Sequence, residues 1–228
     1  MKKVKVGELV VDFSIYPRSD VDSQHITYMA EALDAGVHFP PIVIEKGSNR
    51  IVDGVHRTRM FKSRCGDDYE VEVIEKTYKN EPALLLDAIR LNAGHGRTLT
   101  MHDRTHCILL AAKMEVPEDE LASALCMTVE KVGALRVDRI GTLHVGQTTR
   151  SIPLKRTIRH MAGKSLTKGQ SEANDRLSGM NQVFYVNQVI LLIESKLLNM
   201  DDEKLLERLG ILASLLKKLP SLRKRAAS

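Results

Sequence analysis

One stretch, Ile51-Val52-Asp53-Gly54-Val55-His56-Arg57-Thr58-Arg59, restricts the fold of this chain more tightly than its neighbours do. A short β-branched run halts at an Asp-Gly, and a cationic His-x-x-Arg cluster comes directly after it. Gly54 can take backbone angles that other residues resist, so the strand can turn sharply there. A helix opening at Val55 would aim its free N–H groups and the positive end of its dipole at that turn. His56, Arg57 and Arg59 would add donors at the same place, the pattern by which proteins build a phosphate site. A plain strand-turn-helix with a few surface cations has the same sequence, and the stretch alone does not separate the two.

The organisation around it is α+β. Short β-branched runs at 4–11, 42–45 and 71–74 alternate with helical patterns at 23–34 and 56–65. Turns fall at Gly36, Lys46-Gly47-Ser48-Asn49 and Gly66-Asp67-Asp68. Glu81-Pro82 then opens a helix that turns Leu84, Leu85, Ala88 and Ile89 inward, and Gly94-His95-Gly96 ends it. Beyond Thr100 no strand is expected, and the remainder reads as helix.

The first third of the chain resembles the ParB/sulfiredoxin fold, the ParB-like nuclease domain. The resemblance is carried by 9–18 (a strand ending in Ile15-Tyr16-Pro17-Arg18), the helix around 26–33, and Gly36-Val37-His38-Phe39-Pro40-Pro41-Ile42-Val43-Ile44. It continues in 51–59 and in Leu91-Asn92-Ala93-Gly94-His95-Gly96, all in the family's order and spacing over roughly 1–100. The resemblance implies a nucleotide site. Asp53, Gly54, His56, Arg57 and Arg59 would form the first phosphate motif, and Asn92, His95 and Gly96 the second. Gly36, Phe39 and Pro40 would form part of the base and ribose pocket. The implied ligand is a nucleoside triphosphate, CTP before others, with Mg²⁺. No catalytic residue and no protein-held metal is assigned.

Two departures bear on chemistry. Sulfiredoxins carry a catalytic cysteine directly before the His-Arg pair, where this chain has Val55, which argues against sulfinic-acid repair. Partition-type ParB proteins have Glu-Asn in the second motif, where this chain has Leu91-Asn92. A metal held by Asn92 and phosphate oxygens alone would be weak, so efficient hydrolysis is not expected. The Asn-x-x-His-Gly form is closer to ParB-domain regulators of antibiotic gene clusters and mobile elements, and the resemblance implies a DNA-binding protein, either a transcriptional regulator or a plasmid or chromosome partition factor. A competing reading is a nucleotide-dependent enzyme of the same fold (an NTPase, a small-molecule kinase or a nuclease) with Asp53 and His56 as acid or base. Against it, no paired carboxylates or His cluster marks a metal centre.

Residues 99–145 resemble a helix-turn-helix with a support helix over 101–114 that buries Cys107, Ile108, Leu110 and Ala111. Pro117-Glu118-Asp119-Glu120 begins a short helix with an acidic first turn. Cys126-Met127 turns the chain, and Thr128 caps a second helix over 129–139. Ala122, Met127 and Val132 stand where crossed helices pack closely. Thr128, Glu130 and Lys131, with Ala134, would face the major groove of double-stranded DNA, and Arg136 and Arg139 its phosphates. A helical hairpin packed for structural reasons would show a similar pattern.

The placement of charge supports a polyanion partner. The chain carries +5 overall, but residues 1–99 carry −1, 100–140 carry −2 and 141–228 carry +8. Lys155, Arg156 and Arg159 would supply phosphate contacts, and Arg223, Lys224 and Arg225 form a second basic group. Over 181–228 two helices are expected, at 181–198 and 201–219, with Asp201 as the second N-cap. Val183, Val186, Ile190, Ile193 and Leu197 make one stripe, and Leu205, Leu209, Leu212, Leu216 and Leu219 another. They either close on each other or join two copies of the chain in a homodimer.

The expected domains are therefore 1–98 (nucleotide), 99–145 (helix-turn-helix), 146–180 (basic linker and helix) and 181–228 (helical hairpin). Three cysteines, an odd number without metal-ligand spacing, suggest reduced core thiols. No segment is long and apolar enough to cross a membrane, and a bacterial, cytoplasmic setting is expected.

Overall fold

The computed structural model describes residues 2–94, 97–178 and 180–219. It divides into two units, with the boundary between Met180 and Asn181. The first unit is α+β, as the sequence patterning indicates.

A four-stranded sheet has β1 (Lys2–Lys5), β2 (Ile42–Glu45), β3 (Ile51–Asp53) and β4 (Glu70–Lys76) in the order β1-β4-β2-β3. β2 lies parallel to β4, and the β1–β4 and β2–β3 pairs are antiparallel. The inward residues Val4, Ile42, Ile44, Ile51, Val71 and Val73 pack with Val6, Tyr16 and Val55 into one cluster. α1 (Ser23–Asp34) and α2 (Val55–Cys65) pack against each other. α1 is capped by Asp22, whose carboxylate accepts from the His25 N–H.

The expected strands over 4–11 and 9–18 are shorter in the structure. The chain leaves β1 at Lys5 and enters a 3-10 turn, Val6–Glu8, where the Gly7 N–H donates to the Asp67 carbonyl. Val10 then makes an isolated bridge to Arg50, and Asp12 takes the next residues out of the ladder. Its carboxylate accepts from both the N–H and the hydroxyl of Ser14, an Asx turn that competes with strand pairing.

α3 (Glu81–Gly94) links the sheet to a helical region. Its buried Leu84, Leu85, Ala88 and Ile89 share a single core with α4 (Met101–Lys113), α5 (Glu118–Ala124) and α6 (Val129–Asp138). The expected boundary at residue 98 is thus no loose linker. Leu99 is buried, and Thr100 and Asp103 form a capping box at the start of α4. The second carboxylate oxygen of Asp103 accepts from the Ser19 N–H and hydroxyl at 3.0 Å each. The Cys107 thiol lies 3.2 Å from the Pro17 carbonyl, so α4 is tied directly to the loop before α1.

The expectation of helix alone beyond Thr100 is overturned. β5 (Ile140–Val145) and β6 (Thr148–Pro153) form an antiparallel hairpin that crosses the expected boundary at residue 145. β7 (Ser165–Leu166) joins β5 in parallel, giving the order β6-β5-β7. Thr142, Val145, Thr148, Thr149 and Ile152 are β-branched, and Gly146, at a φ of 60°, makes the turn between the strands. A 3-10 segment (Arg156–Met161) and α7 (Lys168–Arg176) complete the unit. The buried Asn174 pins them to the hairpin by accepting from the Lys155 N–H and donating to the Pro153 carbonyl.

The second unit holds α8 (Gln182–Glu194) and α9 (Glu203–Lys217). α8 stops short of the expected residue 198 because Lys196 turns left-handed, at a φ of 55°, and closes the helix end. The N-cap of α9 is Asp202 rather than Asp201; its carboxylate accepts from the N–H groups of Lys204 and Leu205. Of the cysteines only Cys107 is buried, while Cys65 and Cys126 are exposed, so the expectation of three core thiols holds for one. Among the described residues no helix is long and apolar enough to cross a membrane.

Candidate nucleotide cleft and nucleic-acid face

At the end of β3 the chain turns through Gly54, with a φ of 112°, directly into α2. That angle favours glycine, and a Cβ there would stand 3.2 Å from both Ile42 and the Arg57 guanidinium. α2 has no side-chain cap, so the N–H groups of its first turn are left for something outside the helix. They border a cleft of about 400 Å³.

Most of the expected first motif lines that cleft. Asp53, Gly54, His56 and Arg57 do, together with Phe39, Pro40 and Asn92. Gly36 lies outside it, at the left-handed end of α1 with a φ of 85°, and Arg59 is exposed on the outer face of α2. His95 and Gly96 fall outside the described residues. Three basic residues not assigned from the sequence also line the cleft: Arg18, His25 and Arg97.

The geometry changes the roles of two expected cations. Arg57 donates to the Pro40 and Pro41 carbonyls at 2.6 and 2.8 Å and to the Asp53 carboxylate at 2.5 Å. It staples the Phe39-Pro40-Pro41 wall to the turn. His56 Nε2 accepts from the Asp22 N–H at 3.2 Å, which places its ring proton on Nδ1. Burial, and then the charges of Arg18, His25 and Arg97, pull its pKa down to about 4, so the ring is neutral. The positive charge of the cleft therefore comes from Arg18 and Arg97. Arg18 is buried and donates to the Arg97 carbonyl, and Arg97 pairs with Asp22. Both stand at the edges of the sequence motifs, Tyr16-Pro17-Arg18 and His95-Gly96-Arg97, and a search for arginines flanking those motifs would have found them.

These residues fit a phosphate better than a protein-held metal. The Asn92 amide donates to the Ala88 carbonyl within its own helix, and Asp53 is engaged by Arg57. Among the described residues no group of three His, Cys, Asp or Glu side chains could hold a metal ion.

The helix-turn-helix expectation maps onto α5 and α6. Cys126 makes the turn in a left-handed conformation, with a φ of 53°, at the place where many such motifs have glycine. Ala122 and Val132 are buried in the crossing and Met127 packs against them. Thr128 caps α6, its hydroxyl accepting from the Lys131 N–H. Glu130, Lys131 and Ala134 are exposed or partly so, and of α6 only Val132 is fully buried. Arg136 stands 3.6 Å from Glu118, a weak surface pair. Arg139, Lys155, Arg156 and Arg159 do not extend that face; they line a separate cleft together.

No protein-family model matches the chain. It is 33% identical over 109 residues to the transcriptional regulator NovG of Streptomyces niveus, covering 46% of this chain and 32% of that protein. It is 27% identical over 164 residues to a possible regulatory protein of the streptomycin biosynthesis operon of Streptomyces griseus, covering 68% of this chain and 45% of that one. The chain thus spans less than half the length of either relative. A solved structure of C-terminally truncated ParB from Caulobacter crescentus, complexed to the centromeric parS site, aligns with 60% of this chain and 71% of its own. That alignment has 17% identity and a TM-score of 0.42. In sequence the chain is thus similar to a transcriptional regulator and to a possible regulatory protein of Streptomyces, and the ordered motifs of its N-terminal third resemble those of ParB-like proteins.

Proposed function

We propose that the protein is a ParB-like transcriptional regulator that reads double-stranded DNA with α5–α6 and binds a nucleotide in its N-terminal cleft. The observation that carries this reading is the outer face of α6. It is held rigidly by the buried Val132 and the Thr128 cap while Glu130, Lys131 and Ala134 stay accessible to solvent. A recognition helix needs this arrangement to enter the major groove N-terminus first. From Arg139 to Ser171 the chain contains no acidic residue, which favours a polyanion beside it.

The N-terminal cleft suits a nucleoside triphosphate, CTP by the family resemblance. The open N–H groups of α2, with Arg18 and Arg97, would hold phosphate, and Phe39 and Pro40 would wall the base. Mg²⁺, if it accompanies the nucleotide, would be held mainly by phosphate oxygens and water, and no hydrolytic step is assigned. The exposed apolar faces of α8 and α9 would join a second copy of the chain, matching the two-fold symmetry of many DNA sites.

Calorimetric titration with CTP, ATP and ADP, each with Mg²⁺ and with or without duplex DNA, tests the nucleotide half. One nucleotide should bind, with an affinity that DNA alters. Lys131→Ala and Arg136→Ala test the reader. Each is expected to weaken binding to a selected site by roughly 5- to 100-fold. Unchanged affinity in both removes the assignment of α6.

A further inference from the structure

A second cleft of the first unit, about 730 Å³, shares Arg18 and Arg97 with the N-terminal cleft but otherwise has its own lining, and it includes none of Thr128, Glu130, Lys131 or Ala134 of the α6 face. Its lining includes the loop between Arg18 and Ser23, Arg97 and the start of α4, and also Arg139, Arg156 and Arg159. The carboxylates among these residues are already hydrogen-bonded. Asp103 accepts from Ser19 and Thr100, Asp22 from the His25 N–H and Arg97, and Asp20 from the Val21 N–H. Among the described residues none of Arg139, Arg156 and Arg159 makes an ion pair or side-chain hydrogen bond. Arg139 is half-buried, and burial followed by the charges of Arg159 and Arg156 lowers its pKa. Lys155 is occupied differently, its ammonium donating to the Asp175 and Leu177 carbonyls at 2.7 and 2.6 Å.

Half-buried Arg139 and the exposed Arg156 and Arg159 line one cleft and concentrate positive charge there, which favours an anion between them. Their forked donors match the oxygens of a phosphate. We propose that Arg139, Arg156 and Arg159 form a second phosphate-binding site, distinct from the N-terminal nucleotide cleft. The phosphate belongs either to a free phosphorylated small molecule or to the DNA backbone, and a cleft of this volume admits a compact ligand. Arg18 and Arg97 line both clefts, so charge placed in either acts on the same two side chains. The site rests on the nucleotide reading only for its distinction from the first cleft, and its test does not need that cleft to be filled.

The test uses the full chain, inorganic pyrophosphate and a duplex of mixed sequence. Arg156 and Arg159 lie at the surface, so Arg156→Gln/Arg159→Gln should leave the fold intact, as thermal unfolding will check. If the source is a free ligand, pyrophosphate binds the parent chain, weakens at least tenfold in the double variant and persists in Gly54→Ala, which strains the turn framing the first cleft and whose folding the same thermal unfolding checks. If the source is DNA, the log–log salt slope of duplex binding shallows by about two in the double variant, one per lost phosphate contact. Arg156→Lys/Arg159→Lys keeps the charge and should recover part of either effect. Pyrophosphate binding and salt slope both unchanged in the double variant would overturn the proposal, as would pyrophosphate binding lost in Gly54→Ala alone. A failure of CTP to bind the parent chain counts against the nucleotide reading and leaves these outcomes readable.

Discussion

The helices over 81–138 and those over 182–217 carry the same kind of apolar periodicity and do opposite things with it. In α3 to α6 the stripe is consumed: Leu84, Leu85, Ile89, Ile108, Leu121, Leu125 and Val132 are each no more than 1% exposed. In α8 and α9 no residue is fully buried; Val186, Ile190 and Ile193 stand open on one helix and Leu212, Leu215 and Leu216 on the other. Periodicity therefore says that a helix has an apolar face, and only the number of neighbouring elements says whether the chain itself covers it. Four helices and two sheets close a core, whereas two helices do not. In the proposed reading a second copy of the chain covers that face.

The sharpest way to break this contrast is to cut the same kind of side chain in both places. Ile108→Ala leaves a cavity at a residue 1% exposed and should cost about 2–5 kcal/mol in denaturant unfolding. Leu215→Ala, at a residue 54% exposed, should move unfolding of the first unit by less than about 0.5 kcal/mol. Its effect should appear instead in sedimentation, as weaker self-association. Equal losses of stability from the two would mean that α9 is already part of a core, and the contrast would fall.

A second difference concerns acid. The C-terminal unit, from residue 181 onward, contains no histidine, whereas the first unit half-buries His56 with its pKa pulled down to about 4. His102 and His106 are lowered in the same direction, chiefly by burial. The unfolded chain takes up these protons near pH 6.5 and the folded chain does not. Stability is therefore fully present above about pH 6.5 and is lost as pH falls from there toward the folded pKa. For His56, partly open to solvent, the loss should be about 1–2 kcal/mol after discounting for screening. The midpoint of the first unit should fall over that range, and His56→Gln should flatten part of the slope. A slope unchanged by that substitution would show that His56 titrates normally.

How much of the fold and the cleft was legible in the sequence depends on whether the signal was local. The turn at Gly54, the cap at Thr128 and the inward faces of α3 and α4 are written in adjacent residues and appear where the pattern places them. The hairpin of β5 and β6 was hidden by its basic, Thr-rich composition, which reads as a linker until a partner strand and Asn174 hold it. The cleft shows the same division. Gly54 and Phe39 line it from adjacent motif positions, whereas the partners of His56 and Arg57 are Asp22 and the Pro40 and Pro41 carbonyls. Those partners are set by tertiary packing, so no spacing rule reaches them.

The smallest effect separates the units at their helix caps. Thr128 caps α6 through a 3.4 Å contact to the Lys131 N–H, and Asn181 caps α8 through a 2.7 Å bond from the Phe184 N–H. By length alone Asn181 should matter more, since a good cap contributes about 1 kcal/mol and a long contact less. Consequence should run the other way. α6 positions Val132 in the shared core, so Thr128→Ala should lower the stability of the first unit by about 0.5 kcal/mol and weaken DNA binding with it. Asn181→Ala should fray the start of α8 and leave the first unit's midpoint where it was. Helix content from circular dichroism, read beside the unfolding midpoint, separates the two. A midpoint shifted by Asn181→Ala and untouched by Thr128→Ala would mean that the exposed helices, rather than the shared core, set the stability of this chain.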